Sequence, residues 1–99
     1  MYNIILHNIA EEVLFDLVHS NKKEYQVLFE ALNEIEEEGF RASNTKSLAN
    51  TDKIFRKRVR RWRILFTMEG ADIHIWIIAI EKDTKKDYKK WIKYISYQI

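Results

Sequence analysis

The chain has 99 residues, of which 46% are hydrophobic and 32% charged, and it is expected to form one domain over residues 1–99. It contains no cysteine, which excludes disulfide bonds and thiolate metal sites and fits a reducing cytoplasm. No apolar stretch approaches the ~18 residues of a membrane span, and no signal peptide is evident. With no proline and two glycines, the chain should consist mostly of helices and strands.

The charge is divided unevenly along the chain. Residues 1–40 contain nine acids and two lysines, a balance of −7, and residues 41–99 contain six acids and fifteen lysines and arginines, a balance of +9. Their sum is the net charge of +2. The second part therefore favours binding of a polyanion, whereas the acids of the first part are explained by the solvated faces of helices.

The first forty residues predict a strand followed by two helices. Tyr2–Leu6 is a short apolar run, typical of a strand. Apolar residues then recur at three- and four-residue spacing, which predicts a helical hairpin over residues 8–39. Asn8 is expected to cap the first helix with Glu11 as its capping-box partner, and Gly39 to end the second helix in a left-handed conformation.

The rest of the chain predicts three strands and a helix. Residues 41–53 form a polar connection with Leu48 as its one large apolar anchor. The predicted strands are Ile54–Arg60, Trp62–Met68 and Ile73–Ile80, with a hairpin turn over residues 69–72. The helix is predicted at Lys85–Ile95. The order β-α-α-β-β-β-α indicates an α+β fold, in which a helical hairpin packs on a largely antiparallel sheet of about four strands.

A basic run lies within the predicted sheet. Six of the eight residues from Arg56 to Arg63 are basic. Because alternate strand residues share a face, Arg56, Arg58 and Arg60 are expected on one side, with Arg63 beside Arg58 across a tight turn. Guanidinium groups so placed repel one another unless an anion lies among them, and the RNA backbone offers such anions. The alternative is that these arginines pair with glutamates of the helices.

Tyr88 has two interpretations. It precedes Trp91, Ile92 and Ile95 at helical spacing, which is typical of core packing. It also lies among four lysines: Lys82, Lys85, Lys86 and Lys89. Clustered cations favour the phenolate and lower a tyrosine pKa, so Tyr88 could act as a general base.

Other chemistry has little support in the sequence. His7, His19 and His74 do not have the spacing of metal ligands, and His74 is expected to be structural. Neither glycine lies in a phosphate-binding loop, and no serine or cysteine nucleophile motif is present. We therefore expect neither a metal nor a cofactor.

The order of elements and several scattered residues together resemble the RelE/ParE superfamily of toxins from type II toxin–antitoxin systems, including HigB-like members. The resemblance covers nearly the whole chain. The residues that carry it are Lys46-Ser47-Leu48 in the connection, Arg56 and Arg58 in the basic strand, Trp62-Arg63-Ile64 at the next strand, Lys82 and Tyr88.

The RelE branch of that superfamily implies a ribosome-dependent mRNA endonuclease that works by 2′-hydroxyl attack on the adjacent phosphate. By this resemblance Arg63, Lys82 and Tyr88 are the catalytic residues. Lysine at position 82 departs from the best-known relatives, which carry arginine there. The RNA-binding residues are expected to be Arg56, Arg58, Arg60, Lys85 and Lys86. The expected partners are mRNA, the ribosome and a separately encoded antitoxin that covers the basic face.

Two alternatives to this function remain open. A ParE-like protein would inhibit DNA gyrase without cutting RNA, although that branch generally lacks the set of basic residues and tyrosine found here. A non-catalytic relative would bind RNA in a salt-dependent way without cleaving it.

Overall fold

The computed structural model describes residues 1–48 and 53–99, and the side chains of all of these except residues 83–87. The elements are β1 (Asn3–Leu6), α1 (Asn8–Ser20), α2 (Lys22–Glu38), a 3-10 turn (Gly39–Arg41), β2 (Thr45–Ser47), β3 (Ile54–Val59), β4 (Trp62–Glu69), β5 (Asp72–Ile80) and α3 (Glu81–Gln98). No helix among the described residues is long and apolar enough to cross a membrane.

The strands form one sheet in the order β1-β5-β4-β3-β2. β1 runs parallel to β5, and the other three pairs are antiparallel. The α+β class and the largely antiparallel sheet are therefore confirmed. The predicted number of about four strands is one too few, because β2 lies in the stretch that was assigned to a polar connection. Its three polar residues lack the apolar alternation by which a strand is recognised.

The helices cover opposite faces of the sheet. Ile64 and Phe66 of β4 pack in one cluster with residues of α1 and α2, whereas Leu65 between them packs in a second cluster with Ile95 of α3. We call the side covered by α3 the α3 face. β5 is buried along most of its length, as predicted for a central strand, because both faces receive helices.

A bulge in β5 shifts its side chains relative to β4. Leu65 pairs with Ile77 and Phe66 with Ile75, so Trp76 has no partner residue opposite it. As a result Trp76 and Ile77 both join the cluster on the α3 face. The Trp76 indole donates a hydrogen bond to the Thr67 hydroxyl at 2.8 Å, which satisfies its polar atom in the core.

The predicted cap of α1 by Asn8 is wrong. Asn8 is the first residue of the helix, and His7 occupies the cap position without a side-chain hydrogen bond. The reason is that β1 leads directly into α1: the His7 amide still bonds the Ile75 carbonyl as an extended residue, and its carbonyl accepts from the Glu11 amide. Asn21 separates the two helices and caps α2 by accepting from the Glu24 amide.

Gly39 ends α2 with φ +59°, as its predicted role requires. A Cβ atom at this position would lie 2.9 Å from Met68 Cε and 3.0 Å from Tyr2 Cε2. Gly39→Ala is therefore expected to lower the free energy of unfolding by about 1–3 kcal/mol, measured by urea denaturation. Gly70→Ala is the matched control, because Gly70 has the same φ but no atom within 4 Å of a new Cβ. Equal losses in the two variants would show that the close contacts contribute nothing.

A histidine pair joins the junction of β1 and α1 to β5 on the α3 face. His7 Nε2 lies 2.8 Å from His74 Nδ1, so one ring donates a proton to the other. His7 also stacks on Trp76, with ring centroids 3.7 Å apart. Burial lowers the pKa of His7, and the charge of His74 lowers it further. These contacts give His74 the structural role expected from the sequence.

The free energy of unfolding is expected to fall as the pH drops from about 7 to about 5. The pKa of His7 in the folded chain lies below its ordinary value of 6.5, so the unfolded chain takes up the proton first as the pH falls. Urea denaturation at several pH values measures this loss. His7→Gln should flatten this dependence, whereas His19→Gln, which changes an exposed histidine of α1, should not. If the free energy of unfolding depends on pH equally in His7→Gln and the wild type, His7 is not the group responsible.

Candidate functional site

The basic run forms the β3–β4 hairpin, and strand pairing sorts its side chains between the two faces. Arg58 pairs directly with Arg63, as predicted, and Arg56 pairs with Leu65. Because Leu65 packs in the cluster with α3, all three arginines are directed to the α3 face. Lys57 lies between Arg56 and Arg58 along the strand and is directed to the opposite face.

Arg60 does not belong to this set, and its prediction as a strand residue on the same face is wrong. β3 ends at Val59, and Arg60 and Arg61 form the two-residue turn into β4. Arg60 has φ +55°, which is incompatible with an extended strand. Its carbonyl accepts a hydrogen bond of 2.9 Å from Arg63 Nη1, so its backbone helps to hold the hairpin. Whether its exposed side chain binds RNA stays a prediction.

β2 adds a fourth cation that was not predicted as a site residue. Lys46 pairs with Arg56 across the two strands and is exposed. A surface cleft beside it is lined by Asn44, Thr45, Lys46, Arg56 and Arg58. We call Lys46, Arg56, Arg58 and Arg63 the basic patch. The Lys-x-Leu sequence at residues 46–48 was the available signal, but only the strand pairing places it beside Arg56.

Two members of the basic patch lack a full set of partners. Among the described residues, neither Arg56 nor Arg58 forms an ion pair with an acid of α1 or α2. Arg56 Nε is buried and has no hydrogen-bond acceptor within the described part of the chain. A buried donor left unpaired is unfavourable by about 1–3 kcal/mol, so this position would gain from an added acceptor.

Helix glutamates do pair with other cations of the run. Lys57 is buried and its ammonium lies 2.8 Å from Glu34 Oε1, and Arg61 Nε lies 3.4 Å from Glu24 Oε1. The hydrogen bond from Lys57, followed by that from the Ser43 amide, lowers the pKa of Glu34. Among the described residues, the alternative that the predicted arginines pair with helix glutamates therefore holds for Arg63, which binds Glu81 of α3, but not for Arg56 and Arg58.

Arg63 is the most enclosed member of the basic patch, with a side chain only 4% exposed. Its Nη1 donates to the carbonyls of Arg60 and Trp62 at 2.9 and 2.8 Å. Its Nη2 lies 2.7 Å from Glu81 Oε1. These contacts fix the plane of the guanidinium within the sheet. No sequence pattern predicted the contact with Glu81.

α3 contributes the remaining predicted residues. It begins at Glu81, four residues before the predicted start, because the Glu81 amide bonds the Arg61 carbonyl and the chain turns directly from β5 into the helix. Lys82 is exposed in the first turn, and Tyr88 is half-buried against the cluster on the α3 face. Both interpretations of Tyr88 therefore remain compatible with its position. The side chains of Lys85 and Lys86 lie outside the described residues.

A lysine in the first turn of a helix is unfavourable for the helix itself. The helix dipole places partial positive charge at this end, which repels a cation and attracts an anion. Lys82 therefore does not stabilise α3, and it adds to the positive potential there. Further along α3, Lys89, Lys90 and Lys93 are exposed, so the outer surface of this helix is basic as well.

The arrangement of one mixed sheet, with a helical pair on one face and a C-terminal helix on the other, is the fold of toxins of the RelE/ParE superfamily. The resemblance predicted from the sequence is thus confirmed at the level of the fold. No protein-family profile matches the sequence, and no curated protein is similar to it in sequence.

Individual solved structures superpose on most of the chain. The YoeB dimer from Staphylococcus aureus has a TM-score of 0.66 and 21% identity, over 77% of this chain and 92% of that one. The YoeB–YefM complex from the same organism has a TM-score of 0.66 and 22% identity, over 79% and 94%. The RelE–RelB complex from Pyrococcus horikoshii OT3 has a TM-score of 0.66 and 18% identity, over 81% and 94%.

Proposed function

We propose that the protein is the toxin of a type II toxin–antitoxin system and acts as a ribosome-dependent mRNA endonuclease, an mRNA interferase that inhibits translation. The observation that carries this proposal is the basic patch: four cations on one face of the sheet, beside the helix that bears Lys82 and Tyr88. The toxin fold supports it. Because its target is the translating ribosome, we place the protein in the cytoplasm.

In this proposal the chain supplies positioning, charge and proton transfer. Tyr88 as phenolate removes the proton of the 2′-hydroxyl, whose oxygen attacks the adjacent phosphorus. The bond from phosphorus to the 5′-oxygen breaks, which leaves a 2′,3′-cyclic phosphate and a 5′-hydroxyl. Lys82 gives a proton to the leaving oxygen or neutralises its charge. The guanidinium of Arg63 stabilises the charge that develops on the phosphate.

The rest of the basic patch would hold the RNA backbone. Arg56 and Arg58 can each bind a phosphate through paired hydrogen bonds, and Lys46 adds a compact charge at the edge of the sheet. Arg56 Nε has no acceptor among the described residues, which gives a specific reason for an added acceptor at this position. Lys85 and Lys86 are proposed to extend the contact along α3.

The proposed protein partner is a separately encoded antitoxin. The solved relatives include complexes of YoeB with YefM and of RelE with RelB. A partner of this kind would neutralise the basic patch with acidic residues, and part of it would fold on binding. We therefore expect the toxin and antitoxin to form a hetero-oligomer.

The test is to express the chain without its genomic neighbour and to map the 5′ ends of cellular mRNA. New 5′-hydroxyl ends within translated regions, together with growth arrest, are expected. The same cleavage should be reproduced with purified protein on programmed ribosomes. Uncut mRNA in both experiments would exclude the proposed activity.

A ParE-like function has a different readout. The YoeB/ParE toxin from Agrobacterium tumefaciens has a TM-score of 0.67 at 6% identity, so the fold does not separate the two activities. A supercoiling assay with purified DNA gyrase separates them, and we expect no inhibition. Salt-dependent binding of RNA without cleavage or growth arrest would instead identify a non-catalytic relative.

A further inference from the structure

The contact between Arg63 and Glu81 raises a question about how RNA reaches the basic patch. Arg63 is proposed to stabilise the reacting phosphate, yet its side chain is 4% exposed and Glu81 Oε1 lies 2.7 Å from its Nη2. Its Nη1 is already bonded to two backbone carbonyls. Both Nη1 protons are committed to these carbonyls, so a phosphate that binds Arg63 has to approach the Nη2 side, where it competes with the Glu81 carboxylate.

Of the three acceptors, Glu81 is the one that can exchange. The carbonyls of Arg60 and Trp62 belong to the turn and strand of the hairpin, so moving them would disrupt the sheet. The Glu81 side chain is 43% exposed and is attached at the first residue of α3. Rotation about its side-chain bonds can move the carboxylate into water without unfolding the helix.

We propose that Glu81 is an internal substitute for the RNA phosphate, which holds Arg63 in place and is displaced when RNA binds. This inference rests on the proposed function. Arg63 never becomes a buried cation without a counter-ion, because one anion replaces the other. A single phosphate competes poorly with a carboxylate attached to the same chain. RNA competes well, because other phosphates bind Lys46, Arg56 and Arg58 simultaneously.

Glu81 thereby acts as a positioning residue that also sets a threshold for binding. It orients the guanidinium before RNA arrives, and it restricts occupation of Arg63 to ligands with several phosphates. Removal of its charge should make Arg63 accessible to weaker anions. It should also strengthen RNA binding, because the competing ion pair is lost.

The first experiment measures binding of a 2′-O-methylated RNA oligonucleotide, which cannot be cleaved, by fluorescence anisotropy at low salt. Glu81→Gln is expected to lower the dissociation constant about three- to tenfold, and Glu81→Asp is expected to stay near the wild type. Glu69→Gln is the matched control, because it removes the same charge from an exposed residue at the far end of β4. Equal effects of Glu81→Gln and Glu69→Gln would overturn the proposal.

In the second experiment the arginine Nε–H NMR signals are followed while inorganic phosphate is added, first to the wild type and then to Glu81→Gln. In the wild type the signal of Arg58 should respond at lower phosphate concentrations than that of Arg63. In Glu81→Gln the two should respond over the same range. A response of Arg63 together with Arg58 in the wild type would overturn the proposal, even if Glu81→Gln failed to fold.

The experiments distinguish a wrong role for Glu81 from a wrong proposed function. If no mRNA is cleaved on ribosomes, the endonuclease proposal fails, while the phosphate titration still reports on Glu81. If mRNA is cleaved on ribosomes but Arg63 and Arg58 respond together to phosphate, the endonuclease proposal stands and the role of Glu81 is refuted.

Discussion

Replacement of Tyr88 by phenylalanine is expected to lower the rate of mRNA cleavage on ribosomes by about 100-fold or more, the usual contribution of a general base. The substitution removes only the hydroxyl group. The ring is half-buried against the cluster on the α3 face, and phenylalanine keeps that packing. The thermal unfolding midpoint should therefore change little while the cleavage rate falls.

Tyr94 provides the matched control for this substitution. It lies on the same helix and packs against the same cluster, with its ring edge-on to Trp76 at 6.4 Å. Tyr94→Phe should cleave mRNA at the wild-type rate. If Tyr88→Phe cleaves mRNA at the full rate, Tyr88 is not a general base and only packs in the core, as its helical spacing also predicts.

Replacement of Arg63 by alanine is expected to lower the cleavage rate by about 100- to 1,000-fold, the effect of losing an oriented donor to the charge of the transition state. Arg63→Lys should recover only part of this loss, since an ammonium keeps the charge but not the paired geometry. Single-turnover cleavage on programmed ribosomes is the measurement.

Arg63 also contributes to folding, so the controls have to separate the two effects. Its removal takes away a donor that binds two backbone carbonyls and Glu81, and a lower unfolding midpoint is expected for Arg63→Ala. Arg61→Ala removes the same charge from the adjacent turn, where the arginine is exposed and binds Glu24 at 3.4 Å. Cleavage by folded Arg63→Ala at the rate of Arg61→Ala would exclude Arg63 from the chemistry.

Strand periodicity correctly predicted which arginines share a face, because the alternation of side chains does not depend on the rest of the fold. It placed Arg56 and Arg58 together and Arg63 beside Arg58, as the pairing shows. It failed at Arg60, where the chain turns. The basic run of residues 56–63 contains no glycine, asparagine or aspartate to mark the position of that turn.

Contacts between distant elements could not be predicted from local patterns. Lys46 enters the basic patch only because a short polar strand pairs with β3. Glu81 reaches Arg63 because α3 starts directly after β5 and Arg63 pairs with Ala79 of that strand. In both cases the deciding fact is a register between strands, which no single segment determines.

The pairing of β1 with β5 has a consequence for the order of events during synthesis. β1 contains residues 3–6, and in the described sheet its one neighbouring strand is β5, which ends at residue 80. The first strand therefore cannot complete its pairing until residues 72–80 have been translated, and such long-range pairing is slow. Tyr88 and Lys82 are made later still. A nascent chain thus lacks the proposed site until Tyr88 has been made and has left the ribosome, so under the proposed function shorter nascent chains are expected to be inactive.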